Sequence, residues 1–236
     1  MPFNMLSIRT AAIVVLSSSA IALTGCASSG SSSSNSGDDK KSGGEKVRQE
    51  TRATRIEGAE EARKAATRTG EIYLMRGLMD IFSRGIDVMA VQMRREGLYA
   101  VNTSYTEWET IGADIVRRNK QKKVSYPIAI VGHSLGANDA TKLANYLGTR
   151  GIKVSYVASF DPTEPGYVGK NVKKVVNYYL PNENNKIYKR KGFTGKIHNI
   201  NMSKDPDITH TTIEKNPKLQ SQVMGNVMRI TRKKRK

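Results

Sequence analysis

Residues 132–136 read Gly132-His133-Ser134-Leu135-Gly136, a G-x-S-x-G spacing. The spacing alone is weak, because both residue types are common. Its setting gives it weight. The apolar run Ile128-Ala129-Ile130-Val131 leads straight into it, and a helical stretch from about Leu135 to Leu147 leaves it. A serine on such a sharp strand-to-helix turn projects its hydroxyl at the carboxyl edge of a sheet. The glycines at 132 and 136 have a steric reading: backbone segments come so close there that a Cβ would clash. The start of a helix behind the hydroxyl also favours negative charge developing nearby.

A serine hydroxyl becomes a useful nucleophile only when a base takes its proton. The chain has three histidines that could serve. His133 adjoins Ser134 on the turn, where its ring should point away from the hydroxyl. His198 lies in Lys196-Ile197-His198-Asn199-Ile200, which reads as the final strand. His210 lies in a polar loop before the last helix, at the kind of strand-end position where a parallel sheet exposes reactive groups. His210 is therefore the expected base. The base in turn needs an acid to fix its tautomer. Asp161 is expected to supply it, in Ser159-Phe160-Asp161-Pro162-Thr163-Glu164-Pro165 after the strand that follows the elbow helix. An Asp before Pro also serves as a simple turn former, and Glu183, after the next strand, is the rival acid. The chain order Ser134, Asp161, His210 matches the order found when such a triad sits on an α/β sheet.

The elements needed to position these groups are legible as alternating patterns. Short apolar runs predict strands at Ile72–Met75, Leu98–Val101, Ile128–Val131, Val154–Phe160 and Val172–Leu180, with Lys196–Ile200 as the final one. Helical spacing appears from Ile86 to Arg95, through Trp108, Ile111 and Ile115, and in Leu219, Val223 and Val227. Asn216-Pro217 is a helix start, with Asn as cap and Pro in the first turn. Strands alternating with helices imply an α/β fold with a mainly parallel sheet and helices on both faces.

The elbow, the Phe160–Pro165 segment and the late histidine together resemble a compact α/β-hydrolase of lipase or esterase type, over roughly residues 71–230. The resemblance implies a minimal form of that fold without an evident cap domain. It also implies an oxyanion hole made by the backbone N–H groups of Leu135 and Leu78, the latter in the loop Arg76-Gly77-Leu78 after the first strand. Family members often carry His-Gly in that loop, and this chain carries Arg76-Gly77. The expected activity is cleavage of carboxylic esters through an acyl-enzyme, with an ester-bearing small molecule or lipid as substrate and no metal or organic cofactor. Two alternatives stand beside it: an acyl thioesterase using the same residues, and a non-catalytic basic surface protein that binds anionic lipid or polymer.

Composition and the N-terminus bear on where the chain works. Its 236 residues carry 39 Lys and Arg against 21 Asp and Glu, a formal net charge of +18, and 38% are hydrophobic. That apolar share is below the globular average of about 45–50%, so part of the chain is expected to stay outside any core. The charge suits anionic partners in general, and no motif assigns a specific nucleic acid. Arg9 is followed by a mostly apolar run, Ala11 to Leu23, too short to span a bilayer but suited to an export signal. The run ends in Leu23-Thr24-Gly25-Cys26, and Cys26 is the single cysteine, which excludes an intrachain disulfide. This segment resembles a bacterial lipobox. The resemblance implies a signal peptide over 1–25, lipid attachment at Cys26, and a chain exported and anchored to a bacterial membrane. Ala27 rather than Asp after the cysteine favours the outer membrane where the cell has one. The alternative is an ordinary signal peptide that leaves a free thiol. Residues 26–46, rich in Ser and Gly, read as a flexible linker. Residues 47–70 are highly charged and compatible with a solvated helix that has no convincing buried face. Residues 71–230 form the folded domain and 231–236 a basic tail, solvated or in contact with lipid phosphates. The oligomeric state is left open.

Overall fold

A computed structural model describes residues 59–78, 83–181 and 185–234. The signal segment, Cys26, the linker over 26–46 and the rival acid Glu183 lie outside the described residues.

Six strands form one sheet: β1 (Glu71–Met75), β2 (Tyr99–Thr103), β3 (Ile128–His133), β4 (Tyr156–Phe160), β6 (Lys174–Tyr179) and β8 (Lys196–Asn201), in the spatial order β2-β1-β3-β4-β6-β8. Every pairing in it is parallel. The first five correspond to the apolar runs of the sequence, and β8 to the stretch Lys196–Ile200. The short strands β5 (Gly166–Val168) and β7 (Ile187–Lys189), which pair with each other in a second small sheet, had no such signal. The helices are α1 (Ala59–Ala65), α2 (Arg84–Arg95), α3 (Trp108–Lys120), α4 (Leu135–Gly148) and α5 (Pro217–Ile230). The architecture is an α/β fold, a parallel sheet with helices on both faces.

Strand residues alternate between two cores because successive side chains point to opposite faces. Tyr73, Met75, Ile128 and Ile130 meet Ile111 and Ile115 of α3 and Leu143 and Leu147 of α4. Ile72, Leu74, Ala129 and Val131 meet Ile86, Met89 and Met93 of α2 and Leu219, Val223 and Val227 of α5. Each fully buried aliphatic side chain contributes roughly 1.5–3 kcal/mol, so the two apolar faces hold the helices against the sheet. Asn216 caps α5 by accepting from the amides of Lys218 and Leu219 at 3.0 and 3.2 Å.

One buried polar cluster crosses the first core. Arg118 of α3 donates to both carboxylate oxygens of Glu71, at 2.7 and 2.8 Å, and through Nε to Asp114 at 2.7 Å. Glu71 also accepts from the Tyr73 hydroxyl and the Ser125 amide. Burial pushes the Tyr73 hydroxyl well above its ordinary pKa, with the Glu71 carboxylate adding to the shift, so it stays protonated and donates.

The segment before β1 differs from the expectation of a solvated stretch. Ala59 and Ala66 are buried in the first core, and the Arg63 guanidinium lies 4.9 Å from the centre of the Tyr99 ring. The signal is weak in the sequence because alanine is a small contact residue and the charged side chains around it dominate the pattern. The start of the basic C-terminal run is also tied down. The Thr69 amide donates to the Arg232 carbonyl at 2.7 Å and the Lys234 amide to the Thr67 carbonyl at 2.8 Å.

Candidate active site

Strand order reverses around β1, which pairs with β2 on one side and β3 on the other. In open α/β sheets the crevice at the carboxyl ends of such strands is where reactive groups gather. Ser134 stands there, directly after β3, with φ 56° and ψ −123°. A non-glycine residue at positive φ is strained. The strain is held by the Ser134 amide donating to the Phe160 carbonyl at 3.0 Å and by α4 starting at the next residue. The flanking glycines behave as their steric reading requires. A Cβ at Gly132 would overlap the Gly136 carbonyl, and a Cβ at Gly136 would overlap the carbonyls of Met75 and Arg76.

Two residues distant in sequence converge on this hydroxyl. His210, in the segment between β8 and α5, places Nε2 at 2.9 Å from Ser134 Oγ and Nδ1 at 2.7 Å from Asp161 Oδ2. A carboxylate only accepts, so Nδ1 carries the proton and Nε2 accepts from the Ser134 hydroxyl. Asp161 follows β4 with φ 45° and is almost fully buried. Its Oδ1 accepts from the Leu180 amide at 3.0 Å and from Asn185 Nδ2 at 2.9 Å. The hydrogen bond to Asp161 holds the His210 imidazole above the ordinary histidine pKa, against an opposing effect of burial.

The other two histidines stand apart from the hydroxyl. His198 is exposed on β8. His133 is 1% exposed, and burial pushes its pKa down to about 4, so it is neutral near pH 7. Its two ring nitrogens join two loops. Nε2 lies 2.8 Å from the backbone carbonyl of His210, which can only accept, so Nε2 bears the proton. Nδ1 then accepts from the Ser83 hydroxyl at 2.8 Å, and Ser83 Oγ accepts from the Gly77 amide at 2.8 Å. This chain of bonds ties the loop after β1 to the loop that carries His210.

That first loop lies against the serine. A Cβ at Gly77 would come within 2.8 Å of Ser134 Cβ. Arg76, where the family resemblance suggests His, fastens the loop through a 3.0 Å ion pair from Nη1 to Asp87 of α2. The Gly77 amide is used by Ser83, and Leu78 follows it with 54% of its surface exposed. The Leu135 amide sits in the first turn of α4, where helix N–H groups have no intrahelical acceptor.

Sequence reasoning missed Asn185, Ser83 and Glu214. Asn185 is held in turn by Asn177, whose Nδ2 donates to the Asn185 carbonyl at 2.9 Å. Glu214 is fully buried, 3.9 Å from His133 Nε2, and burial pushes its carboxyl above the ordinary range. Polar residues that act by supporting another side chain have no spacing signal.

No family model and no curated protein sequence matches this chain. Among solved structures it is similar to Est1E from Butyrivibrio proteoclasticus, with 12% identity, 69% of this chain and 90% of that one covered, and a TM-score of 0.45. It is also similar to the NocB thioesterase domain of the nocardicin cluster, with 10% identity, 72% and 96% covered, and a TM-score of 0.43. A third likeness is to the Vlm2 thioesterase domain, with 10% identity, 69% and 93% covered, and a TM-score of 0.39.

Proposed function

We propose that the protein is a serine hydrolase that cleaves carboxylic esters through an acyl-enzyme. The observation that carries this reading is the continuous relay from Ser134 Oγ to His210 Nε2 at 2.9 Å and from His210 Nδ1 to Asp161 at 2.7 Å. Ser134 attacks the acyl carbon while His210 takes its proton, and a tetrahedral oxyanion forms. His210 returns the proton to the departing alcohol oxygen, leaving an ester on Ser134. Water, deprotonated by the same imidazole, releases the carboxylic acid. Asp161 keeps the imidazole in the required tautomer and stabilises its cationic form. The amides of Leu135 and Leu78 receive the oxyanion, each such donor being worth about 10²–10³-fold in rate. Every step is performed by groups of this chain.

The test is covalent labelling with a fluorophosphonate probe. Wild type should be labelled, and Ser134→Ala should lose the label while keeping its circular dichroism and thermal midpoint. Equal labelling of the variant refutes the assignment. A panel of ester and thioester substrates with matched acyl groups then reads the leaving group directly, and faster turnover of the thioesters would replace ester cleavage in this proposal. We further propose export and lipid anchoring through Cys26, on the strength of the lipobox-like Leu23-Thr24-Gly25-Cys26 alone. Membrane association of the expressed chain should be lost in Cys26→Ser.

A further inference from the structure

At the sheet edge opposite Ser134 the chain forms a second concavity of about 870 Å³. Its position follows from topology. Ser134 succeeds the carboxyl end of β3, whereas Lys174 and Lys196 are the first residues of β6 and β8, and Val154 and Ser155 come just before β4. Because all six strands run parallel, these amino ends lie at the far edge.

The lining is cationic. Lys153, Lys170, Lys173, Lys174, Lys196 and His198 contribute to it, and no aspartate or glutamate does. Among the described residues, none of the five lysines has a carboxylate within ion-pair distance; Lys174 Nζ is held by the neutral Asn226 side chain at 2.8 Å. Lys174 and Lys196 are register partners on adjacent strands, so two like charges are held side by side. Burial, with Arg229 and Lys196 adding repulsion, holds the Lys174 ammonium below its ordinary pKa. Gly195, also in the lining, lets its segment approach the start of β6 closely, since a Cβ there would come within 2.6 Å of the carbonyls of Lys173 and Val172. An arrangement of unneutralised ammonium groups around one concavity costs electrostatic energy that a multivalent anion would remove.

We propose that this groove binds a free multivalent anion of the oligophosphate class, whose chain enters the concavity and is held by the lysine ammonium groups. Lysine is suited to phosphate as a compact charge with three donors. A concave wall surrounds a narrow chain on several sides, whereas a flat lipid surface would meet only its rim. The inference is independent of the hydrolase reading, since it uses the other edge of the sheet.

Titration calorimetry of the full chain with inorganic tripolyphosphate, at low and moderate salt, tests it. Wild type should bind one equivalent, more weakly as salt rises. Lys153→Gln, Lys173→Gln and Lys196→Gln combined should weaken binding by about tenfold or more, given the value of charge-assisted hydrogen bonds. The same three positions changed to Arg should retain it. A control with an equal charge change at exposed positions elsewhere, Lys64→Gln, Lys120→Gln and Lys218→Gln, should bind as wild type does. Fluorophosphonate labelling of the groove variant should match wild type, which separates failure here from failure of the hydrolase proposal. Equal weakening in groove and control variants would assign binding to diffuse net charge and overturn the site. No tripolyphosphate binding, together with lysine-dependent binding to phosphatidylglycerol vesicles, would overturn it in favour of a lipid surface. Absence of both overturns it outright.

Discussion

At the scale of single residues, His210 is poised between two demands. In the proposed reaction it must be neutral to accept the Ser134 proton, yet its bond to Asp161 raises its pKa above the ordinary value near 6.5. Activity should therefore fall as pH drops through a value above that figure, because the protonated ring cannot act as base. Asp161→Asn removes the charge that raises the pKa, so the acid limb of kcat/KM should move to lower pH. The same change should cut kcat by roughly 10⁴-fold, as loss of the orienting carboxylate does in serine triads. Pre-steady-state and pH-rate measurements on one ester substrate check both parts. His133 makes a separate prediction. Ser83→Ala breaks the link from Gly77 to the ring of His133 without touching Ser134 or His210. It should lower kcat by about tenfold, less than the roughly 10²–10³-fold of losing a donor outright, because it slackens the loop proposed to hold the Leu78 donor, and leave KM and the pH limb nearly unchanged. A fall in Tm with normal kcat would instead make Ser83 a purely structural residue.

At the scale of elements, the strand–turn–helix unit works because β3 and α4 touch the loop after β1 with no side chain between them. Gly136→Ala would drive a methyl group into the carbonyls of Met75 and Arg76, which are backbone and cannot swing aside. The expected cost is about 1–3 kcal/mol of stability, typical of overpacking. A larger fractional loss of labelling rate should accompany it, since the displaced loop is the one beside Ser134. The Glu71–Arg118 pair fixes α3 to β1 in a different manner. Glu71 is fully buried and Arg118 nearly so. Glu71→Gln would leave the guanidinium with Asp114 as its only buried carboxylate. A loss of about 3 kcal/mol is expected, the lower end for a broken buried pair, read as a shift of the urea midpoint at constant m-value.

At the scale of the whole molecule, the folded unit extends beyond the alternating pattern that defines its sheet. Arg68 donates to Thr231 and to the carbonyls of Met228 and Thr231, and residues 67–69 exchange backbone bonds with 232–234. A chain that begins at residue 59, the first described residue, serves as the reference. One shortened to begin at residue 70 loses the packing of Ala59 and Ala66 and the clasp on the C-terminus. Its Tm should fall by roughly 10 °C, which corresponds to about 3 kcal/mol in a domain of this size. Calorimetry of the two chains compares them directly.

What the sequence determined by itself was local: five strands read from apolar runs and a sixth from its place after them, the helix starts, and an elbow whose two glycines admit one steric reading. Those features depend on neighbours a few residues apart, where periodicity and turn chemistry act. Tertiary structure decided which distant groups meet. His210 and Ser134 are 76 residues apart and His210 and Asp161 are 49 apart, so their contact is set by strand order and by the path of the segment after β8. The roles of Asn185, Ser83 and His133 were invisible beforehand for the same reason, because a supporting hydrogen bond leaves no repeat in the chain. The lysine groove is also a product of assembly: its charges come from separate loops and strand starts, and only parallel packing gathers them on one edge.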